Sequence, residues 1–246
     1  MRLDKLLEQE NFGSRRHVRA LIRSKQVRID GKIVIDESQS VEPAIQEILV
    51  KDQRLQEPLH VYYMLNKPQG VVTAVRDATH TTVIDLIAPK DQRKGLYPVG
   101  RLDRDTEGLL LLTDNGQLGY QLLLPHKKVL KRYEVIVNGV LTEADRLAFA
   151  QGIVFVGGET CKSAELQILA AKAGHSHAYL DITEGKFHQV KKMFLSVGKK
   201  VTYLKRLSMG PIQLDETLEA GQYRPLNTTE LQALKPYFTI HKKERV

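Results

Sequence analysis

Apolar positions change period several times along the first fifty residues of this chain. Leu3, Leu6 and Leu7 share one helical face, and Val18, Leu21 and Ile22 share another after Ser14, a residue type whose hydroxyl caps helices. Val27-Arg28-Ile29, the pair Asp30-Gly31 and Ile33-Val34-Ile35 then alternate about a two-residue turn, which predicts a β-hairpin. Residues 51–58 are polar, lack a sustained period and end in proline, and they read as a linker.

Beyond residue 58 the two periods are mixed. Strands are predicted at 61–65, 71–75, 109–112, 133–137, 153–156, 178–182 and 201–204, and helices at 82–87, 117–124, 142–150, 187–197 and 228–234. Strands often follow one another without a helix between them. That order favours an α+β domain on a mixed, mostly antiparallel sheet over regular βαβ winding. The chain is expected to divide into a small domain with its linker, residues 1–57, and a larger one, residues 58–246.

Charge changes this picture more than composition does. At 246 residues, 42% hydrophobic and 27% charged, the chain is ordinary for a globular protein, and no apolar run approaches the roughly 18 residues that cross a bilayer. A membrane role is excluded on that ground. A single cysteine, Cys161, permits no intrachain disulfide, so a reducing cytoplasm is expected. The net charge of +8 and pI near 9.4 suggest a polyanionic partner. Much of the excess lies in the first 32 residues, where Arg15, Arg16, Arg19 and Arg23 fall around the polar side of the second predicted helix, with Arg2 and Lys25 nearby. This suits a nucleic-acid-docking module or, equally, a solvated face. A second basic stripe contains Lys186, Lys191, Lys192, Lys205 and Arg206, with no acid between Glu184 and Asp215. It could hold phosphates without reading sequence.

Against that background the stretch Gly100-Arg101-Leu102-Asp103-Arg104-Asp105-Thr106-Glu107-Gly108 stands out. It sets three carboxylates at the lip of the apolar run Leu109-Leu110-Leu111-Leu112, where charge is costly unless paired or used. If the stretch is extended, Arg101, Asp103 and Asp105 share a face. Further on, Lys131, Tyr133, Val135 and Val137 share one face of a predicted strand.

Four segments in order resemble the bacterial rRNA pseudouridine synthases: Asn66-Lys67-Pro68-Gln69-Gly70, the Gly100-Arg101-Leu102-Asp103 stretch, Lys131-Arg132-Tyr133, and Glu184-Gly185-Lys186-Phe187-His188-Gln189-Val190-Lys191. The basic N-terminal module is similar to the S-four-type RNA-binding domain that precedes the catalytic domain in that family. Together the likenesses span essentially the whole chain. They imply an enzyme that breaks the C1′–N1 bond of a uridine, turns the base and rejoins it through C5, without metal or organic cofactor. By motif position Asp103 carries the covalent chemistry, and the sugar, the base or a proton remains open as its target. The resemblance further implies Lys191 as counter-ion to Asp103, Tyr133 as a stacking ring and base for the C5 proton, and Leu204 as an apolar wall. Arg101 is placed to influence Asp103. Lys67, Lys186, His188, Gln189, Lys192, Lys205 and Arg206 are expected to contact RNA. The motifs look closer to small-subunit than to large-subunit enzymes, which implies one uridine of 16S rRNA in a partly assembled small subunit, recognised by a monomer. The alternatives are a 23S target or a binding-only assembly protein.

Other chemistries fit less well. The spacing of Asp103, Asp105 and Thr106 departs by one residue from the paired aspartates of metal-dependent phosphatases. Paired carboxylates could serve glycoside hydrolysis, for which their separation decides. His175 and His177 lack matched Cys or acidic partners for a metal and are read as loop residues.

Overall fold

The computed structural model describes residues 1–55, 58–155 and 157–238 and divides the chain into two compact units. One unit comprises residues 1–61 together with the described residues from Leu226 onward; the other spans Tyr62–Pro225.

The first unit begins with two helices, α1 (Leu3–Gln9) and α2 (Arg15–Arg23). The predicted apolar faces are the buried ones, and the backbone N–H of His17 donates to the Ser14 hydroxyl at the start of α2. Strands β1 (Val27–Ile29) and β2 (Lys32–Ile33) pair antiparallel about Asp30 and Gly31, both at positive φ, as a tight hairpin requires. Strand β3 (Ile48–Val50) follows and pairs antiparallel with β1. The expected linker is partly structure: Lys51 and Asp52 turn the chain at positive φ, and Gln53–Leu55 forms β4 against β3. Backbone pairing has overridden a polar composition there, with Leu55 alone supplying a buried anchor. Gln56 and Glu57, at the expected domain boundary, lie outside the described residues.

The second unit is built on one sheet. Its strands are β5 (Tyr62–Lys67), β6 (Tyr97–Pro98), β7 (Glu107–Thr113), β8 (Lys131–Asn138), β9 (Glu165–Lys172), β10 (His175–Ile182), β11 (Val201–Met209), β12 (Ile212–Gln213) and β13 (Tyr223–Pro225). The order along the main path is β13-β5-β7-β11-β8-β10-β9, and only β11 with β7 is parallel. This is the mixed, mostly antiparallel α+β arrangement. Helices α3 (Gly116–Leu123), α4 (Glu143–Gln151) and α5 (Gln189–Ser196) accompany the sheet. After β13, α6 (Thr228–Ala233) and α7 (Lys235–Phe238) belong to the first unit, where Lys235 pairs with Asp30 at 2.5 Å. The C-terminal segment, expected with the larger domain, is thus held in the smaller unit.

Several predicted elements differ. Residues 71–75 make only a single bridge, Val72 to Thr82, and residues 82–87 are turns rather than a helix. The Asp85 carboxylate accepts from both the backbone N–H and the hydroxyl of Thr82, so local side-chain bonding replaces a helical ladder. Residues 153–155 contribute one bridge, Val154 to Thr160, and Val156 lies outside the described residues. His175 to His177 are not loop but the start of β10, and the His177 Nε2 lies 2.8 Å from the Glu134 carboxylate. Among the described residues, no helix is long and apolar enough to cross a membrane.

Candidate active site

Glycine at position 108 allows the centre of the sheet to close. Parallel β7 and β11 align Gly108 with Arg206, and a Cβ on Gly108 would lie 2.2 Å from the Arg206 carbonyl oxygen. With φ at +99°, this position also favours glycine conformationally. The acidic loop is therefore delivered directly to the start of a central strand.

The loop is fixed from behind. Lys67, fully buried at the end of β5, donates its ammonium to the carbonyl oxygens of Thr106 (2.9 Å), Pro68 (2.9 Å) and Arg104 (3.3 Å). Thr73 accepts from the Leu102 N–H and donates to the Leu102 carbonyl, while Gly70 and Arg104 exchange two further bonds. These contacts hold the backbone on both sides of Asp103, whose side chain is left about a quarter exposed.

Asp103 opens into a cleft of about 690 Å³ lined by Tyr133, Lys191, Leu204, His188, Arg101 and Arg206, among others. The Lys191 ammonium, on the first turn of α5, is 3.1 Å from one Asp103 oxygen, and the His188 Nε2 is 3.6 Å from the other. Lys191 also reaches Asp105 at 2.5 Å. Burial works against the charge of Lys191, but its hydrogen bonds to Asp105 and Asp103 outweigh that and hold its pKa above the usual lysine value. Burial likewise pushes the Asp105 carboxyl up, and the bond and charge of Lys191, with smaller contributions including the charge of His188, together more than reverse this. The Lys191 ammonium thus sits between the carboxyl groups of Asp103 and Asp105.

Tyr133 lies in β8 with only 7% of its surface exposed, and its hydroxyl has no hydrogen-bond partner among the described residues. Leu204 is buried beside it in the cleft wall. Asp103, Lys191, Tyr133 and Leu204 are therefore brought together from four separate elements. Arg101 also lines the cleft, but it is exposed and makes no ion pair among the described residues. Residues 101–103 are not a strand and Arg104-Asp105 is a turn, so the shared extended face expected for Arg101, Asp103 and Asp105 does not form.

Three residues expected to contact RNA are buried, held by partners within the protein. Lys67 is the buried support just described. Gln189 is buried, accepting from the Lys186 N–H and donating to Glu184, so that it fastens the start of α5. Arg206 is 2% exposed and donates from Nε to the Leu109 carbonyl at 2.8 Å. In each case a polar group met a backbone or side-chain partner that its sequence neighbourhood did not announce. Lys186 pairs with Glu159 at 3.0 Å, the Lys192 ammonium lies over the rings of Phe155 and Phe187, and Lys205 is half-buried. In the first unit, Asp4 is buried with Arg2 at 3.0 Å and Arg15 and Arg19 at 3.9 Å, while Glu37 takes Arg19 and Arg23. Arg16 and Lys25 are exposed. Sequence reading missed Lys131 as a cleft residue, although its place on the Tyr133 face of β8 was the available signal.

Comparison with known proteins was consistent along the chain. A family model described as RNA pseudouridylate synthase matches residues 61–196, and one for the S4 domain matches residues 1–44. An uncharacterized RNA pseudouridine synthase of Bacillus subtilis is 45% identical over 234 residues, covering 95% of this chain and 98% of the relative. A protein named ribosomal small subunit pseudouridine synthase A, from Haemophilus influenzae, is 39% identical over 95% of this chain and 99% of its own length. A crystal structure described as a pseudouridylate synthase superposes with a TM-score of 0.66 at 37% identity, over 95% of this chain and 99% of the other.

Proposed function

This chain belongs to the RNA pseudouridine synthases, isomerases that act on uridines in RNA, and from that premise we propose that it modifies one uridine of 16S rRNA through Asp103. The observation that carries the assignment of Asp103 is its position: a partly exposed carboxylate facing a cleft, with the Lys191 ammonium at 3.1 Å and a loop pinned from below. A uridine must leave its stack to reach such a depth, which costs a few kcal/mol and is easiest in a loop or an unfinished particle. Once the base enters, water is displaced, and the Lys191 ammonium stays against the Asp103 carboxylate as its counter-ion. Tyr133 offers an aromatic face to the uracil and a hydroxyl for the proton leaving C5. Lys191 divides its bonds between Asp103 and Asp105, so Asp105 steadies the ammonium rather than serving as a second acid.

The small-subunit target rests on the names of relatives at 39% and 37% identity over nearly their whole length, and on the S4 domain. The S4 unit docks on rRNA, and the second unit carries out the isomerisation in the cytoplasm. Mapping pseudouridines in cells lacking the gene should reveal the loss of a single 16S position. Re-expressing the wild type should restore it and Asp103→Asn should not, although the variant still binds rRNA. A restored site with Asp103→Asn rejects the role of Asp103; a lost site in 23S rRNA rejects the target.

A further inference from the structure

Two cations at the floor of the cleft are not used by this reading. Arg206 is almost wholly buried in β11, opposite Tyr133 of β8, and its Nη2 has no hydrogen-bond partner among the described residues. Lys131, two residues before Tyr133 on the same strand, directs its ammonium to the carbonyls of Val129 (3.2 Å) and Glu184 (3.5 Å) and has no carboxylate at ion-pair distance among the described residues. Both line the cleft. Burial, and then the charge of Arg206, push the Lys131 ammonium down to about 8. Two neighbouring cations with an unfilled donor, beside apolar Leu204 and Met209, form an arrangement that an anion entering the cleft would complete.

We propose that Arg206 and Lys131 stabilise the uracil ring as an anion while it is detached from the sugar. The proposal rests on the isomerase reading of this cleft. Heterolysis of C1′–N1 leaves the electron pair on N1, and the ring spreads it to O2 and O4. The base turns, C5 supplies a pair to C1′ to make the new bond, the C5 proton passes to the Tyr133 hydroxyl or water, and N1 takes up a proton in its place, so the product is a neutral isomer of the substrate. Electrons and atoms balance with no further reagent, and each route open to Asp103 places negative charge on the ring. Donors held in place near atoms that gain charge lower a barrier most effectively where water is excluded. A phosphodiester is a poorer occupant. It is charged on every side and matches the exposed Arg101, whereas a base is apolar on its faces and polar at its edges, like this floor.

The test compares Lys131→Met with wild type in single-turnover assays on two RNAs, one with uridine and one with 5-fluorouridine at the target. Fluorine lets the ring carry negative charge more readily. Lys131→Met should slow consumption of uridine by about 100-fold, leave RNA affinity within about 2-fold, and slow 5-fluorouridine by only about 10-fold. Arg206→Lys, verified as folded by thermal unfolding, should show the same unequal loss. Equal losses on the two RNAs, an unchanged rate, or weakened binding at full rate would overturn the proposal, the last of these indicating a phosphate contact. Asp103→Asn run alongside separates the two readings, because conversion by that variant rejects Asp103 without altering the ratio between the two bases.

Discussion

Lys67 shows how a buried charge can fix a loop it does not belong to. Its ammonium is buried beneath the loop that presents Asp103 and is saturated by three carbonyl oxygens. Burial pushes its pKa down to about 8, only partly opposed by Asp105 and Asp103. The folded value lies below the unfolded one, near 10.4. Between these values the unfolded chain binds more protons, so this residue's contribution to stability rises as pH climbs through 8 toward 10.4. The difference in urea-unfolding free energy between wild type and Lys67→Met should therefore move in the wild type's favour from pH 7 to pH 9.5. A constant difference would show that the Lys67 charge is not held at a cost.

At the scale of elements, the junction of β7 with β11 and the exposed side of α2 make opposite demands. Gly108→Ala must move the Arg206 backbone and adopt an unfavourable φ, so we expect a loss of about 3 kcal/mol in stability, measured by denaturant unfolding. Activity should fall further, since Asp103 and Arg206 both hang from this junction. On α2, by contrast, Arg16 is exposed and makes no ion pair among the described residues. Arg16→Glu should leave unfolding unchanged while weakening rRNA binding and reducing the slope of log affinity against log salt by about 1. An unchanged slope would remove Arg16 from the RNA-facing surface.

For the whole molecule, the path of the chain is the new fact. It leaves the first unit at Val61, builds the sheet and returns at Leu226, with Leu234 and Phe238 buried. A chain ended at Pro225 should lose stability in the first unit and, with it, rRNA affinity. Far-ultraviolet melting that matches the full chain would contradict this.

The sequence by itself determined the parts governed by local period and by motif spacing. The α1 and α2 faces, the Asp30-Gly31 hairpin and the leucine strand were legible there, because side-chain period and turn chemistry act over a few residues, whereas the grouping of Asp103, Tyr133, Lys191 and Leu204 was implied by the family resemblance, and the fold lines one cleft with all four. Tertiary structure alone decided where the long polar side chains went. Lys67, Gln189 and Arg206 read as surface residues in the sequence, yet each is buried on a partner that lies elsewhere in the fold or, for Lys67 and Gln189, partly next to it. Burial of a charge depends on carbonyls and carboxylates that folding assembles around it, and no local pattern encodes them. The acidic loop was visible as chemistry from the start; that one ammonium would be divided between Asp103 and Asp105 was not, because α5 approaches it from more than eighty residues away.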